Sequence, residues 1–290
     1  MFAITGALGQ TGQAACHALL EAGLPVRLVV RHDDERAQAW RARGAQVAVA
    51  DAADTDALTE AFHGVQAAYL MNPPAYHDAD LFARATAVHR ALVTAANAAG
   101  VPHAVALSSV GAQQPTGTGN IGTTHDFERQ LSGYRGHLTV LRAANFMDNW
   151  AWAMHGVRDG GPLLSMFKPV DRALPMVAAQ DVGRAAARLL AEGPAGHHRL
   201  VELHGPQDVS PADAAAALSQ ALGRQVAVQA ADDAAWCESM RQAGFPAATV
   251  QGLLDMFVGF NDGTVRFTGN GETWRGSTPL ATVMAALAGA

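Results

Sequence analysis

Lysine is almost missing from this 290-residue chain, where Lys168 stands against nineteen arginines. Cysteine is nearly as scarce, with Cys16 and Cys237 far apart in sequence. Two distant cysteines make no disulfide scaffold and point to a reducing compartment, the cytoplasm. There is no basic stretch, and the formal net charge is −6. Binding along a nucleic-acid backbone needs clustered Lys and Arg to replace counterions, so it is not expected. No apolar run reaches the ~18 residues of a membrane span. Met1 leads straight into Phe-Ala-Ile-Thr-Gly, without the basic segment of a signal peptide. No metal-ligand spacing stands out either, and the adjacent His197 and His198 point their side chains apart.

What the chain does hold is a core: 49% of its residues are hydrophobic. Short apolar runs alternate with helical patterns through the first half. Residues 2–5, 25–30, 47–50, 65–71, 103–107 and 138–141 read as strands. Residues 11–23, 34–43, 55–63, 78–99 and 123–131 read as helices. Strands separated by helices of this size imply right-handed crossovers and a parallel sheet. The expected fold is therefore α/β, a Rossmann-type doubly wound parallel sheet over residues 1–150. Residues 151–290 form a smaller lobe, from which 180–205 return to the sheet as a helix and strand. Ser210-Pro211 begins a further helix, Ser at the N-cap and Pro in the first turn.

At the first strand–helix junction stands TGALGQTG, with Gly6, Gly9 and Gly12 three residues apart. A tight turn there delivers a helix N-terminus to a diphosphate, and glycine lets the backbone approach closely. Gly6, Leu8, Gly9, Gln10, Thr11 and Gly12 are the residues expected around it. At the end of the second strand an acid would read the ribose 2′-hydroxyl, and an arginine a 2′-phosphate. Arg31 occupies that place, which favours NADP(H) over NAD(H). Asp33 and Asp34 nearby offer the opposite reading. Asp51, after the third strand, is placed either to bond the adenine amino group or to cap the following turn. Met71, Asn72 and Pro73 end the fourth strand at the carboxyl edge, where ligands of such sheets lie.

These residues resemble the NmrA-like family of atypical short-chain dehydrogenase/reductases. The likeness runs through TGALGQTG, VVRH, DAADTDAL, LSSVGA, FERQL, LRAANFMDN, Gln180-Asp181-Val182-Gly183 and ELHGPQDVSPADAAAALSQALGR. It covers most of residues 1–228 and implies a Rossmann-type fold that binds NADP(H). Some members resemble quinone or azo-dye reductases; others bind the dinucleotide as redox sensors without turnover.

Ordinary short-chain dehydrogenases transfer a proton through Tyr-x-x-x-Lys. That pair cannot exist here: residue 164 is Leu, and Tyr69, Tyr76 and Tyr134 have no lysine four residues on. Ser108 and Ser109 end the fifth strand near the expected nicotinamide, and His125 starts the next helix. His125 and Ser109 are the candidate catalytic pair. Ser108 and His125 are also placed to hold the nicotinamide ribose or carboxamide. An activated acceptor such as a quinone tolerates the missing pair, because its reduced oxygens take protons from water. Phe146, Asn149, Trp150 and Trp152 are candidates for the acceptor wall or for inter-lobe core. The polar, glycine-bearing segment 113–122 reads as a mobile loop over the site or as simple surface slack. Two functions follow: an NADP(H)-dependent oxidoreductase acting on a small activated acceptor such as a quinone or azo compound, or a non-catalytic NADP(H) sensor acting through a protein partner. A homodimer is compatible with either.

Overall fold

The structure, a computed structural model, describes residues 1–289. Its first half is five repeats of strand and helix. They run β1 (Phe2–Ile4), α1 (Gln10–Glu21), β2 (Val26–Val30), α2 (Glu35–Arg41), β3 (Gln46–Val49) and α3 (Thr55–Phe62). β4 (Ala67–Leu70), α4 (Leu81–Ala98), β5 (His103–Ser109) and α5 (Gly122–Leu131) complete them. β6 (His137–Ala143) follows. The second half begins with β7 (Asn145–Phe146), α6 (Met154–Arg158), β8 (Leu163–Ser165), β9 (Met176–Val177), α7 (Ala179–Glu192) and β10 (His198–His204). It ends with α8 (Pro211–Leu222), β11 (Val228–Ala230), α9 (Asp233–Gln242), α10 (Ala247–Asp262), β12 (Glu272–Arg275) and α11 (Leu280–Gly289).

Eight strands form one parallel sheet in the order β12-β10-β6-β5-β4-β1-β2-β3. The order reverses between β1 and β4, the switch point at which such sheets bind ligands. β1 and β4 are buried along their whole length, because helices cover both faces. α1 and α7 share one core with Ile4, Leu28, Tyr69 and Leu141. On the other face Leu58, Phe62, Leu92, Phe127 and Leu131 come from α3, α4 and α5. α2, α3 and α4 start where Asp34, Asp54 and Asp80 accept hydrogen bonds from first-turn N–H groups.

The lobe built on α8, α10 and α11 has its own core, including Met147, Trp150, Leu163, Phe167, Leu218 and Phe260. Long-range clasps fasten the halves together. Asp148 Oδ2 accepts the Ala179 N–H at 2.7 Å and so caps α7 from another part of the chain. Buried Asp181 accepts from the Thr278 N–H at 2.8 Å and its hydroxyl at 2.9 Å. A Cβ at Gly183 would lie 2.2 Å from the Thr11 carbonyl oxygen, which is how α7 packs so closely on α1. The Gln180–Gly183 run is thus a packing device at the junction of sheet, α1 and C-terminal strap.

Candidate active site

The glycine turn is built for close approach. Gly6 has φ +59°, a conformation other residues rarely adopt, and the Met71 thioether lies over it, where a Cβ would fall 2.2 Å from the sulfur. A Cβ on Gly12 would lie 2.2 Å from the Gly6 carbonyl oxygen. Gly9 is the N-cap of α1, extended at φ −84° and ψ 171°, and no side chain caps the helix. The first-turn N–H groups of Gln10, Thr11 and Gly12 therefore face outward with the positive end of the helix dipole. Leu8 is half-buried against the core, and its carbonyl accepts from Gln13 Nε2 at 2.7 Å. The Thr11 side chain is turned inward, where its hydroxyl accepts from Tyr69 Oη at 3.2 Å. Its part at the turn is confined to its backbone N–H.

Across the β1–β4 crevice, Thr5 Oγ1 donates to the Tyr69 carbonyl and accepts from the Met71 N–H. This fixes Met71, Asn72 and Pro73 beside the turn. Asn72 carries a buried Oδ1 with no partner among the described residues. A buried unsatisfied oxygen is costly unless a ligand or water meets it. The bare helix end, the close-approach glycines and this orphaned oxygen together fit a dinucleotide.

At the far end the acids are committed. Asp33 takes the Arg41 guanidinium in two bonds of 2.6 and 2.8 Å. Asp34 caps Ala37 and pairs with Arg36. Arg31 is exposed at the end of β2. Asp51 caps the next turn by accepting the Ala53 N–H at 2.9 Å, and Arg84 donates to the same oxygen at 2.9 Å. The Ala53 N–H, then Arg84 and the charge of Arg31, hold its carboxyl below the usual range. Asp51 thus caps the following turn through Oδ1.

At the end of β5 the two serines differ. Ser108 is 3% exposed and donates to Glu128 Oε1, whose carboxylate also receives Arg142 through Nε at 2.8 Å and Nη2 at 2.6 Å. Ser108 is thus captured by a part-buried ion pair that pins α5 to β5 and β6. Ser109 is half-buried and bonds the Val110 carbonyl at 3.0 Å. His125 Nδ1 meets the Ala112 carbonyl at 2.8 Å. A carbonyl only accepts, so Nδ1 carries the proton, and Nε2 is left as acceptor in the neutral ring or as donor in the imidazolium.

One expectation needs correction. The segment 113–122 is docked, not free. Asn120 is buried and donates to the Thr249 carbonyl, Gln113 Nε2 donates to the Arg266 carbonyl at 2.8 Å, and Gly119 abuts Gly252 on α10. Trp150 is a core residue, 5% exposed and edge-on to Phe167 at 6.1 Å. Phe146 is half-buried, and exposed Asn149 donates to Asn145 Oδ1 at 3.2 Å. Trp152 lies outside, 55% exposed, against Tyr76 and Phe245. Sequence reasoning missed Tyr76 and Phe245, because their meeting is set by tertiary structure.

A parallel sheet with this switch point and this helix end defines a dinucleotide-binding α/β protein. The NmrA-like family model matches residues 1–268, and the chain belongs to that family. It is 28% identical over 261 residues to the NAD(P)H azoreductase of Xenophilus azovorans, covering 89% of this chain and 86% of that protein. It is 29% identical over 266 residues to quinone oxidoreductase 2 of Escherichia coli, covering 91% and 89%. The crystal structure of that NADPH-dependent quinone oxidoreductase complexed with NADPH superimposes with a TM-score of 0.80, covering 99% of both chains. The negative transcriptional regulator NmrA in complex with NAD, at 19% identity and TM-score 0.72 over 99% of this chain and 90% of its own, shares the fold.

Proposed function

We propose that this protein is an NADPH-dependent reductase of quinone or azo acceptors, acting in the cytoplasm. One observation carries the reading: unspent polar groups line one edge of the sheet in the order a dinucleotide needs. They are Arg31 at the adenosine end, the α1 N–H groups at the diphosphate, Asn72 Oδ1 at the crevice and His125 Nε2 at the nicotinamide end. Likeness to a quinone reductase and an azoreductase over about nine-tenths of the chain supports it.

Bound NADPH supplies the hydride. The chain's residues hold the donor and acceptor in register and keep water from the gap. Arg31 receives the 2′-phosphate in place of an acid that would read a bare ribose. Ser109 and His125 face the acceptor end. The Nδ1–H bond to Ala112 fixes the His125 ring, so Nε2 accepts from a ribose hydroxyl when neutral and gives a proton to reduced oxygen when charged. Tyr69 and Tyr134 take no part, since their hydroxyls are bound to Thr11 and to the Val101 carbonyl. Lys168 is paired with Asp233 at 2.6 Å in the second lobe.

That same lack of a Tyr-Lys acid favours the second reading, an NADP(H) sensor that acts through a protein partner. NADPH oxidation with a quinone and azo panel separates the two. Turnover supports the reductase; tight NADPH binding without turnover supports the sensor.

A further inference from the structure

β4 and β6 flank β5 in the sheet, so the segments leaving them pass on either side of Ser109. Tyr76 lies in the segment after β4, and Trp152 in the turn after β7. Their rings meet edge to face, with centroids 6.0 Å apart. Phe245, from the turn between α9 and α10, reaches Trp152 at 5.6 Å. Tyr76 and Phe245 pack on a small second-lobe core of Cys237, Met240, Val250 and Leu253. This backing fixes the two rings, while Trp152 stays more than half exposed. Three aromatic side chains from three separate segments thus converge beside the carboxyl end of β5. No charged side chain is among them; His77, tilted against Phe245 with ring centroids 4.4 Å apart, is the adjoining titratable ring.

We propose that Tyr76, Trp152 and Phe245 form a stacking subsite for the distal ring of an uncharged, extended planar acceptor. It rests on the reductase reading and narrows the substrate class to fused-ring quinones over single-ring ones. Aromatic rings stack through their faces and through edge-to-face contact, and each such pair adds modestly to burial. A single-ring quinone has no distal ring to offer the patch; a fused-ring quinone has one.

The test compares 9,10-phenanthrenequinone with 1,4-benzoquinone in the full-length protein and its Trp152→Ala variant. Trp152 is exposed, so its removal leaves the core intact. Loss of one stacking partner raises the KM for phenanthrenequinone roughly five- to tenfold. The KM for benzoquinone and the Kd for NADPH change less than twofold, and Trp152→Phe restores most of the discrimination. Calorimetric titration with phenanthrenequinone, without NADPH, reads the subsite apart from turnover. Binding weakened by Trp152→Ala in a protein with no reductase activity keeps the subsite and sinks the reductase. Equal effects on both quinones, or none, overturn the subsite. A change of oligomeric state with unaltered discrimination assigns the patch to a second copy and also overturns it.

Discussion

Replacing Arg31 with Ala isolates the cofactor preference. Arg31 lies exposed at the end of β2, whereas the neighbouring acids are already bound, Asp33 to Arg41 and Asp34 to Arg36 and Ala37. A charge-assisted pair of this kind contributes about 1.5 kcal/mol at an exposed site, or roughly tenfold in affinity. The Kd for NADPH should therefore rise about tenfold, while that for NADH barely moves. Arg31 also contributes to holding the Asp51 carboxylate in its charged form. Its loss leaves the adenine end slightly more negative, which weighs more on NADPH with its 2′-phosphate and so works in the same direction. The ratio should shrink as salt rises, because an exposed pair is screened. Isothermal titration with both nucleotides at two ionic strengths reads all of this. An equal loss for NADPH and NADH, or no loss at all, would refute the assignment of the 2′-phosphate to Arg31.

Gly12→Ala drives a Cβ to within 2.2 Å of the Gly6 carbonyl oxygen. It should cost about 1–3 kcal/mol of stability and abolish the rise in thermal midpoint on adding NADPH. His103 is buried between strands, and burial, aided by the charges of His137 and Arg199, pushes its imidazole down to about 4. The unfolded ring takes up a proton below about pH 6.5 while the folded ring stays neutral, so stability should fall as pH drops from 6.5 toward 4. His103→Gln, which retains a donor for Thr139, should flatten that limb in urea titrations at pH 7 and 5. Ser210→Ala removes the capping box shared with Asp213 and should lower unfolding free energy by about 1 kcal/mol, with nucleotide affinity unchanged.

The β1–turn–α1 unit is legible because its signals are local: an apolar run, spaced glycines and a helical face within twenty residues. Arg31 is legible for the same reason, standing at a strand end whose position the alternation sets. Helix ends shift by a few residues where a cap decides them, as when Asp80 starts α4 at Leu81 rather than at 78. What local pattern does not carry is pairing at a distance. β12 is a polar, mostly exposed edge strand, and only its register with β10 makes it part of the sheet. Glu128 captures Ser108 across twenty residues, and Asp148 caps α7 across thirty-one. The segment 113–122 has the composition of slack, yet glycines let its backbone seat against α10 while Ile121 packs into the second-lobe core. Tyr76, Trp152 and Phe245 show no shared period, since the fold alone brings them together.

Hydride transfer to an activated acceptor is tested most directly by following NADPH consumption with a quinone and azo panel, since the cofactor carries the chemistry. NADH and the His125→Ala variant run in parallel. Turnover on a quinone or azo compound is expected, faster with NADPH than with NADH, and slower in His125→Ala. NADPH bound tightly and never oxidised with any acceptor would contradict it.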